Sequence, residues 1–232
     1  MADASLLQIE NVGVSLRNQT ILQGISFAIK RGDFLAIIGP NGAGKTVLVK
    51  TLLGQLPHTG RVTWAEKVRI GYVPQQIDLD RYLTITLRDF LALKVSILKL
   101  TDSEIVEAIR LVGLPETTLL TPLSALSGGQ LQRGLIAFSL IGNPDIIFFD
   151  EPTASVDTPG EEQIYELLHR LQDEKGMAIV LVSHELDLVS RYASHILCLN
   201  REMICYGEPN ASLKPEMLSK LYGNSAHVHH LH

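Results

Sequence analysis

Cysteine and tryptophan are scarce in this sequence of 232 residues, which contains two cysteines and one tryptophan. Cys198 and Cys205 are too far apart for a CxxC motif, so they do not form a typical cysteine-based redox or zinc site. Isolated cysteines of this kind are typical of reduced thiols in a cytosolic protein. We therefore predict that both thiols are reduced and contribute to packing.

Long apolar runs and an excess of basic residues are also missing. No run approaches the roughly 18 residues of a membrane-spanning helix, and the start Met1-Ala2-Asp3-Ala4 lacks the basic residues of a secretion signal. The net charge is −5 with 19% charged residues, which argues against a broadly basic surface. The sequence predicts a chain that neither spans a membrane nor is secreted, and that has no nucleic-acid partner.

A glycine-rich segment lies between the apolar run Phe34 to Ile38 and a helical apolar spacing that begins at Val47. It has the pattern GxxxxGK[ST], in which backbone N–H groups surround a phosphate, the lysine reaches further phosphates and the hydroxyl can bind Mg²⁺. A plain glycine-rich turn would place that lysine unfavourably in the first turn of a helix. The predicted triphosphate-binding loop consists of Gly39, Pro40, Asn41, Gly42, Ala43, Gly44, Lys45 and Thr46.

Strand and helix patterns alternate along most of the chain. The apolar runs Phe34 to Ile38, Ile146 to Phe149 and Ala178 to Val182 are typical of strands buried on both faces. Helical apolar spacing follows the first run and separates the other two. This alternation predicts an α/β fold with a parallel sheet that binds ligands at the carboxyl ends of its strands.

Two further subdomains are predicted around this α/β core. Alternating residues from Leu7 to Ile29 indicate half-buried strands and hence an N-terminal antiparallel β-subdomain. From about residue 77 to 141, helical spacing replaces the strand pattern, and Thr101 with Glu104 forms a candidate capping box. We therefore predict a helical subdomain inserted into the core.

Two adjacent carboxylates, Asp150 and Glu151, follow the apolar strand that begins at Ile146. A charged pair at the tip of a buried strand is costly unless it has a partner or a task. Asp150 could help to hold Mg²⁺, while Glu151 could polarise an attacking water as general base. An exposed loop pair is the alternative, and the phosphate loop in the same chain favours the catalytic interpretation.

Together with four other motifs, the phosphate loop and the strand that ends in Asp150 and Glu151 resemble the ATPase domain of ABC transporters over nearly the whole chain. The motifs occur in the order typical of that family, and the LSGGQ pentapeptide distinguishes it from other phosphate-loop enzymes. They are Gly39 to Thr46, Gln75 within Tyr72-Val73-Pro74-Gln75, Leu126-Ser127-Gly128-Gly129-Gln130, Ile146 to Glu151, Ser155-Val156-Asp157 and His184.

The resemblance implies that ATP and Mg²⁺ are bound between two copies of the chain. Gln75 would sense Mg²⁺ and the attacking water, and His184 would contact the γ-phosphate and orient Glu151. Taken alone, His184 would be a histidine with satisfied bonds at a strand end. The groups that would act on the ATP of the second copy are Ser127, Gly128, Gly129, Gln130 and, at the subunit contact, Asp157.

Two positions depart from the family pattern. The family usually stacks adenine on an aromatic residue where this chain has Leu16, so we expect weaker ATP binding and looser nucleotide choice. Phe138 stands where an arginine is usual, and the sequence offers no physical account of that change.

Within the family, Ile70 to Gln75 and Leu197-Cys198-Leu199-Asn200 are similar to the ATPases of bacterial zinc and manganese importers, the zinc importers above all. This resemblance implies uptake of zinc, with manganese or iron as alternatives. It also implies separate membrane permease subunits, an extracytoplasmic metal-binding protein and a peripheral position on the cytoplasmic face of the inner membrane. A soluble ABC ATPase acting on ribosomes or DNA, and a nucleotide-binding module without catalysis, are alternatives of other classes.

Residues 1–222 are predicted to form the ATPase domain, and residues 223–232 a histidine-rich tail. Neutral imidazoles can bind Zn²⁺, so the tail is a candidate zinc site. A disordered end or a remnant of cloning is the alternative. The candidate ligands are His227, His229, His230 and His232.

Overall fold

The computed structural model describes residues 5–75, 84–151 and 158–223. The strands are β1 (Ser5–Leu16), β2 (Gln19–Lys30), β3 (Phe34–Ile38), β4 (Thr59–Trp64), β5 (Ile70–Val73), β6 (Ile146–Asp150), β7 (Ala178–Val182), β8 (His195–Asn200) and β9 (Glu202–Gly207). The helices are α1 (Lys45–Leu52), α2 (Leu87–Leu98), α3 (Ser103–Leu111), α4 (Gly128–Leu140), α5 (Thr158–Lys175), α6 (Leu186–Tyr192), α7 (Pro209–Ser212) and α8 (Pro215–Tyr222). Among these helices, none is long and apolar enough to cross a bilayer.

A six-stranded sheet with the order β5-β6-β7-β3-β8-β9 forms the centre of the fold. Neighbouring strands are parallel except for β8 and β9, which are antiparallel. Strands β3, β6 and β7 are buried along their whole length because both faces of the sheet are covered. The predicted α/β fold with a parallel sheet is confirmed.

The two faces of the central sheet belong to two different cores. In β3, Phe34, Ala36 and Ile38 pack into one core with the helices, while Leu35 and Ile37 pack into the other. Successive side chains of a strand point to opposite faces, which explains this division. The second core is shared with an antiparallel sheet of order β2-β1-β4, so the predicted N-terminal β-subdomain is confirmed.

Helices α2, α3 and α4 lie in sequence between β5 and β6 and pack into the helix-side core, as the predicted helical insertion requires. The predicted capping box at Thr101 is wrong. Helix α3 begins at Ser103, and the carbonyl oxygen of Thr101, rather than its side chain, accepts the N–H of Glu104 at 3.0 Å. A capping box that was not predicted from the sequence starts α2, where Thr86 and Asp89 exchange side-chain and backbone hydrogen bonds.

The prediction of reduced cysteines is also wrong, because Cys198 and Cys205 form a disulfide. The two residues lie opposite each other on β8 and β9, with their Cα atoms 4.9 Å apart. That separation suits a disulfide. The seven-residue spacing excludes a CxxC motif, but a hairpin that turns at Arg201 brings the two positions together.

Phe138 has a clear packing role. Its ring stacks on that of Phe90, with centroids 4.5 Å apart, and the ammonium group of Lys94 lies 5.2 Å from the centre of the Phe138 ring. Lys94 also donates hydrogen bonds to the carbonyl oxygens of Phe138 and Ser139, near the end of α4. Burial lowers the pKa of Lys94 to about 8. Two residues of α2 therefore hold the Phe138 side chain in place.

Candidate active site

Four neighbouring strands bring separate sequence motifs to one edge of the central sheet. Because β5, β6, β7 and β3 are adjacent and parallel, their carboxyl ends lie together. Gln75 follows β5 after one intervening residue, Asp150 ends β6, His184 lies just beyond β7 and Gly39 follows β3. Residues that are far apart in sequence therefore meet at the edge where α/β sheets bind ligands.

The loop from Gly39 to Thr46 has a backbone that requires glycine. Gly42 and Gly44 have φ angles of 77° and 96°, in the left-handed region, and Gly44 caps the start of α1. At Gly39, an added Cβ would lie 2.0 Å from the carbonyl oxygen of Leu199. The loop therefore presents its amides at a helix N-terminus, which is an arrangement suited to anions.

Lys45 is buried inside this loop, with 6% of its surface exposed. Its ammonium group donates hydrogen bonds to the carbonyl oxygens of Gly39 at 2.9 Å and Pro40 at 3.3 Å, and lies 3.7 Å from Glu151 Oε1. Burial lowers the pKa of Lys45, while the charge of Glu151 opposes that shift. The cation is thus held by the loop that is predicted to bind phosphate.

Thr46 and Asp150 provide a pair of oxygen donors beside Lys45. The Thr46 hydroxyl donates a hydrogen bond of 3.0 Å to Asp150 Oδ1, and Asp150 is only 2% exposed. Burial raises the pKa of Asp150, and the hydrogen bond from Thr46 opposes that shift. A hydroxyl and a carboxylate are the ligands that Mg²⁺ prefers, so the two residues fit the predicted metal site.

Glu151 is the meeting point of the candidate catalytic residues. Its Oε2 accepts a hydrogen bond of 2.5 Å from Gln75 Nε2, and its Oε1 lies 2.7 Å from His184 Nε2. The backbone of Glu151 has a φ of 53°, a left-handed conformation that is uncommon for residues other than glycine and is often found at functional sites. Side chains from three strand ends therefore orient one carboxylate.

A cleft of about 490 Å³ opens between the phosphate loop and Glu151. It is lined by Asn41 to Val47, Gln75, Glu151 and Ile21. Sequence reasoning missed Ile21, although a signal was present. In β2 the buried residues Ile25, Phe27 and Ile29 are two positions apart, whereas Ile21 and Leu22 are adjacent apolar residues of which only Leu22 is fully buried.

The LSGGQ pentapeptide, Leu126 to Gln130, which we call the signature segment, lies away from this cleft. Ser127 caps α4 through a capping box, in which its hydroxyl accepts the N–H of Gln130 at 3.2 Å and the Gln130 side chain accepts the N–H of Ser127 at 3.0 Å. Ser127, Gly128 and Gln130 are exposed, and Gly129 is half-buried. Among the described residues, those that line the cleft include none of residues 126–130.

Several predicted site residues lie outside the described ranges. They are Asp157, His227, His229, His230 and His232. Within residues 5–75, 84–151 and 158–223, no group of three or more histidine, cysteine, aspartate or glutamate side chains could hold a metal ion.

A sequence profile described as ABC transporter matches residues 22–154, which is more than half of the chain. The match includes the phosphate loop, the segment Leu126 to Gln130 and the strand that ends at Asp150. This chain belongs to the ABC transporter family. As a family member, it is an ABC ATPase, a class of enzyme that uses ATP and Mg²⁺.

Curated members of the ABC family match this ABC ATPase over nearly its full length. The zinc import ATP-binding protein ZnuC of Pseudomonas entomophila is 38% identical over 239 residues, which cover 100% of this chain and 91% of the relative. ZnuC of Haemophilus influenzae is 37% identical over 220 residues, which cover 94% and 81%.

Solved structures of ABC proteins also share the fold. An inward-facing ABC transporter of metal-chelate type matches with a TM-score of 0.85 and 26% identity, covering 94% of this chain and 89% of that chain. The structure of cbiO1 from Clostridium perfringens, part of the ABC transporter complex cbiONQ, matches with a TM-score of 0.81 and 27% identity, covering 94% of both chains. The predicted ABC-type ATPase fold is confirmed.

Proposed function

We propose that this chain is the ATP-hydrolysing subunit of an ABC importer that takes up a divalent metal ion, zinc before manganese or iron. Hydrolysis is supported by one observation above all, the contacts of the Glu151 carboxylate with Gln75, His184 and Lys45 beside the phosphate loop. Zinc is supported by the full-length similarity to zinc import ATP-binding proteins. Residues 1–222 would form the ATPase domain.

The phosphates of ATP would bind to the loop from Gly39 to Thr46. Its amides and the N-terminus of α1 would stabilise the negative charge, and Lys45 would exchange its bonds to the loop carbonyls for bonds to phosphate oxygens. Thr46, Asp150 and, at the rim, Gln75 would hold Mg²⁺, which when bound neutralises charge on the β- and γ-phosphates.

Glu151 would polarise the attacking water and accept its proton. A positioned general base contributes typically about 10²- to 10⁴-fold to a rate. Gln75 and His184 would keep the carboxylate oriented, and His184 would also contact the γ-phosphate. The two hydrogen bonds of 2.5 and 2.7 Å support this arrangement.

Two copies of the chain would complete each ATP site. Ser127, Gly128 and Gly129 belong to a helix N-terminus whose donors suit a γ-phosphate, and the exposure of Ser127 and Gly128 leaves this end accessible to a second subunit. Gln130 would hold this end through its capping bonds, and Asp157 would lie at the subunit contact. A homodimer that forms on ATP binding is therefore the proposed active unit.

The partners of the dimer would be membrane permease subunits, through which an extracytoplasmic metal-binding protein delivers the ion. Docking through the region from Gln75 to Leu100 is supported by exposed apolar side chains on α2, among them Leu93 at 56% and Ile97 at 77%. The chain would then lie peripherally on the cytoplasmic face of the inner membrane. Nucleic acid is not among the proposed partners.

The transported metal can be tested by growth under metal starvation. A strain that lacks this chain should stop growing in medium treated with a zinc chelator and should recover when zinc or the wild-type chain is restored. The Lys45→Ala variant, which loses the phosphate contact, should not rescue growth. Recovery with manganese or iron, but not with zinc, would contradict the zinc proposal and favour the alternative metal.

The histidine-rich tail would bind Zn²⁺ as a regulatory site separate from transport. Its four imidazoles, His227, His229, His230 and His232, are suitable ligands when neutral. Titration of zinc against the full chain and against a chain truncated after Gly223 should show loss of a binding site on truncation. Equal zinc binding by both chains would exclude a site in the tail.

A further inference from the structure

Tyr165 places a hydroxyl in the interior of the protein, between α5 and the end of β7. The residue is 1% exposed, and its hydroxyl lies 2.5 Å from the hydroxyl of Ser183, which is 5% exposed. Burial raises the pKa of the Tyr165 phenol, so it remains protonated at neutral pH. The two buried hydroxyls satisfy each other, and both ends of the bond are thereby fixed.

Ser183 connects this bond to the candidate catalytic residues. Its backbone N–H donates to the carbonyl oxygen of Ile37 at 3.2 Å, and its hydroxyl accepts the backbone N–H of Glu185 at 3.0 Å. One side chain therefore ties together the two residues that flank His184. The Ser183 hydroxyl thus spans the backbone of His184, and the same hydroxyl is hydrogen-bonded to Tyr165.

His184 carries this constraint to the reaction centre, since its Nε2 lies 2.7 Å from Glu151 Oε1. We propose that Tyr165 is a positioning residue for ATP hydrolysis, which fixes Ser183 and thereby holds His184 against the Glu151 carboxylate. The inference rests on the proposed roles of Glu151 and His184. Tyr165 itself is not among the residues that line the ATP cleft.

Because Tyr165 lies on α5, its hydrogen bond to Ser183 also joins this helix to the end of β7. Helix α5 begins at Thr158, seven positions after Glu151, and packs against the sheet through Ile164 and Leu168. Helix α5 therefore contacts the strand end beside His184 through the hydroxyl of Tyr165.

The first test is Tyr165→Phe, which removes the hydroxyl and keeps the buried ring. We expect kcat for ATP to fall about 3- to 30-fold, since one buried hydrogen bond is lost and the catalytic geometry loosens. KM for ATP should stay within about twofold, because the phosphate loop is unchanged. A hydrogen bond with a structural role only would lower the melting temperature and leave kcat at 25 °C unchanged, which would overturn the inference.

A double-mutant cycle with Ser183→Ala tests whether both residues act through the same bond. The double variant should be no more than about twofold slower than Ser183→Ala alone, because Ser183→Ala already removes the bond to Tyr165 together with the bond to Glu185. Losses in kcat that multiply would mean that the two residues act separately, and would overturn the inference. Ser183→Ala also removes the bond from the other side, should Tyr165→Phe fold poorly.

Tyr206→Phe is a matched control, since Tyr206 donates its hydroxyl to the carbonyl oxygen of Ala28 at 2.9 Å, away from the cleft. Its kcat should equal that of the wild type. His184→Ala and Glu151→Gln, measured in the same assay, separate the two possible failures. If both lose turnover while Tyr165→Phe does not, the inference is wrong and the proposed function stands. If His184→Ala turns over normally, the proposed role of His184 is wrong and the inference falls with it.

Discussion

The phosphate loop and the signature segment differ sharply in how far each is complete within one chain. At the loop, Lys45 is buried and Glu151 contacts side chains from several strand ends. At the N-terminus of α4, Ser127 and Gly128 are exposed, and the Ser127 hydroxyl bonds to its own helix.

This difference teaches which chemistry each region can perform. The loop region gathers a cation, two carboxylates and an imidazole that already orient one another, as positioning and charge stabilisation of a phosphoryl group require. The start of α4 offers helix N-terminal donors to a ligand that comes from elsewhere. The two regions are therefore expected to serve different ATP molecules.

The largest effect is expected when the loop region loses its base. Glu151→Gln keeps the shape of the side chain and removes its basicity, so turnover should fall by about 10²- to 10⁴-fold. ATP binding should be retained because Lys45 and the loop amides are unaffected. Single-turnover hydrolysis together with nucleotide-binding measurements checks this. Turnover near that of the wild type would remove Glu151 from the mechanism.

The second largest effect is expected at the signature segment, when Ser127 is changed. Ser127→Asp keeps a good N-cap for α4 but places a negative charge where the γ-phosphate of the second copy would bind. We expect turnover to fall by at least about 10²-fold, as when a phosphate-stabilising donor is lost. ATP binding by the isolated subunit should be unchanged. The matched variant Ser127→Asn caps equally well without charge and should lose less. Equal losses would show that charge is not the cause.

A smaller effect is expected near the start of β6, at the opposite end from Asp150. Asp145 is buried, which would raise its pKa, but hydrogen bonds from the backbone and side chain of Arg69 and from Arg31 lower it to about 2. Because the folded value is below the unfolded one, the resulting stability is present above pH 3.8 and is lost as the pH falls towards 2.

Asp145→Asn should remove roughly 1 kcal/mol of stability at neutral pH. The loss is small because Arg31 and Arg69 are exposed, and solvent therefore screens their ion pairs with Asp145. It should also flatten the loss of unfolding free energy between about pH 4 and pH 2. Denaturant unfolding at several pH values measures this, and kcat at pH 7 should be unchanged. A loss of kcat would mean that this end of β6 also serves catalysis.

The smallest effect concerns the nucleotide base. With Leu16 in place of an aromatic residue, the affinities for ATP and GTP should differ by less than about 1 kcal/mol, and Leu16→Tyr should tighten ATP binding by about that amount. Equilibrium binding of both nucleotides to the two proteins measures this. A strong preference of the wild type for ATP would show that another group recognises adenine.

The parts that sequence predicts well are those determined by local pattern and by rules of topology. The apolar runs of β3, β6 and β7 indicated buried parallel strands, and the carboxyl ends of such strands must meet. Glu151 and His184 follow two of these strands and could therefore be expected near each other, whereas Gln75 was expected there only from the family resemblance. The structure brings all three within hydrogen-bond distance.

The parts that sequence did not predict depend on contacts between distant segments. The disulfide follows from the pairing register of β8 and β9, and the environment of Phe138 follows from the packing of α2 on α4. The bond between Tyr165 and Ser183 likewise joins a helix to a strand end. No local pattern specifies these contacts. The cysteine pair depends on strand register, in which a shift of one residue would separate the two positions, and the other contacts depend on how helices pack.

The most direct measurement of the central claim is complementation between two inactive variants. In a mixed dimer of Lys45→Ala and Ser127→Asp, one site would combine both defects, and the other would combine an intact loop with an intact signature. Each variant alone should be inactive, while an equal mixture should recover up to about a quarter of the wild-type turnover, since half of randomly formed dimers are mixed and each has one intact site. A mixture as inactive as its components would contradict the claim that each chain completes the ATP site of its partner.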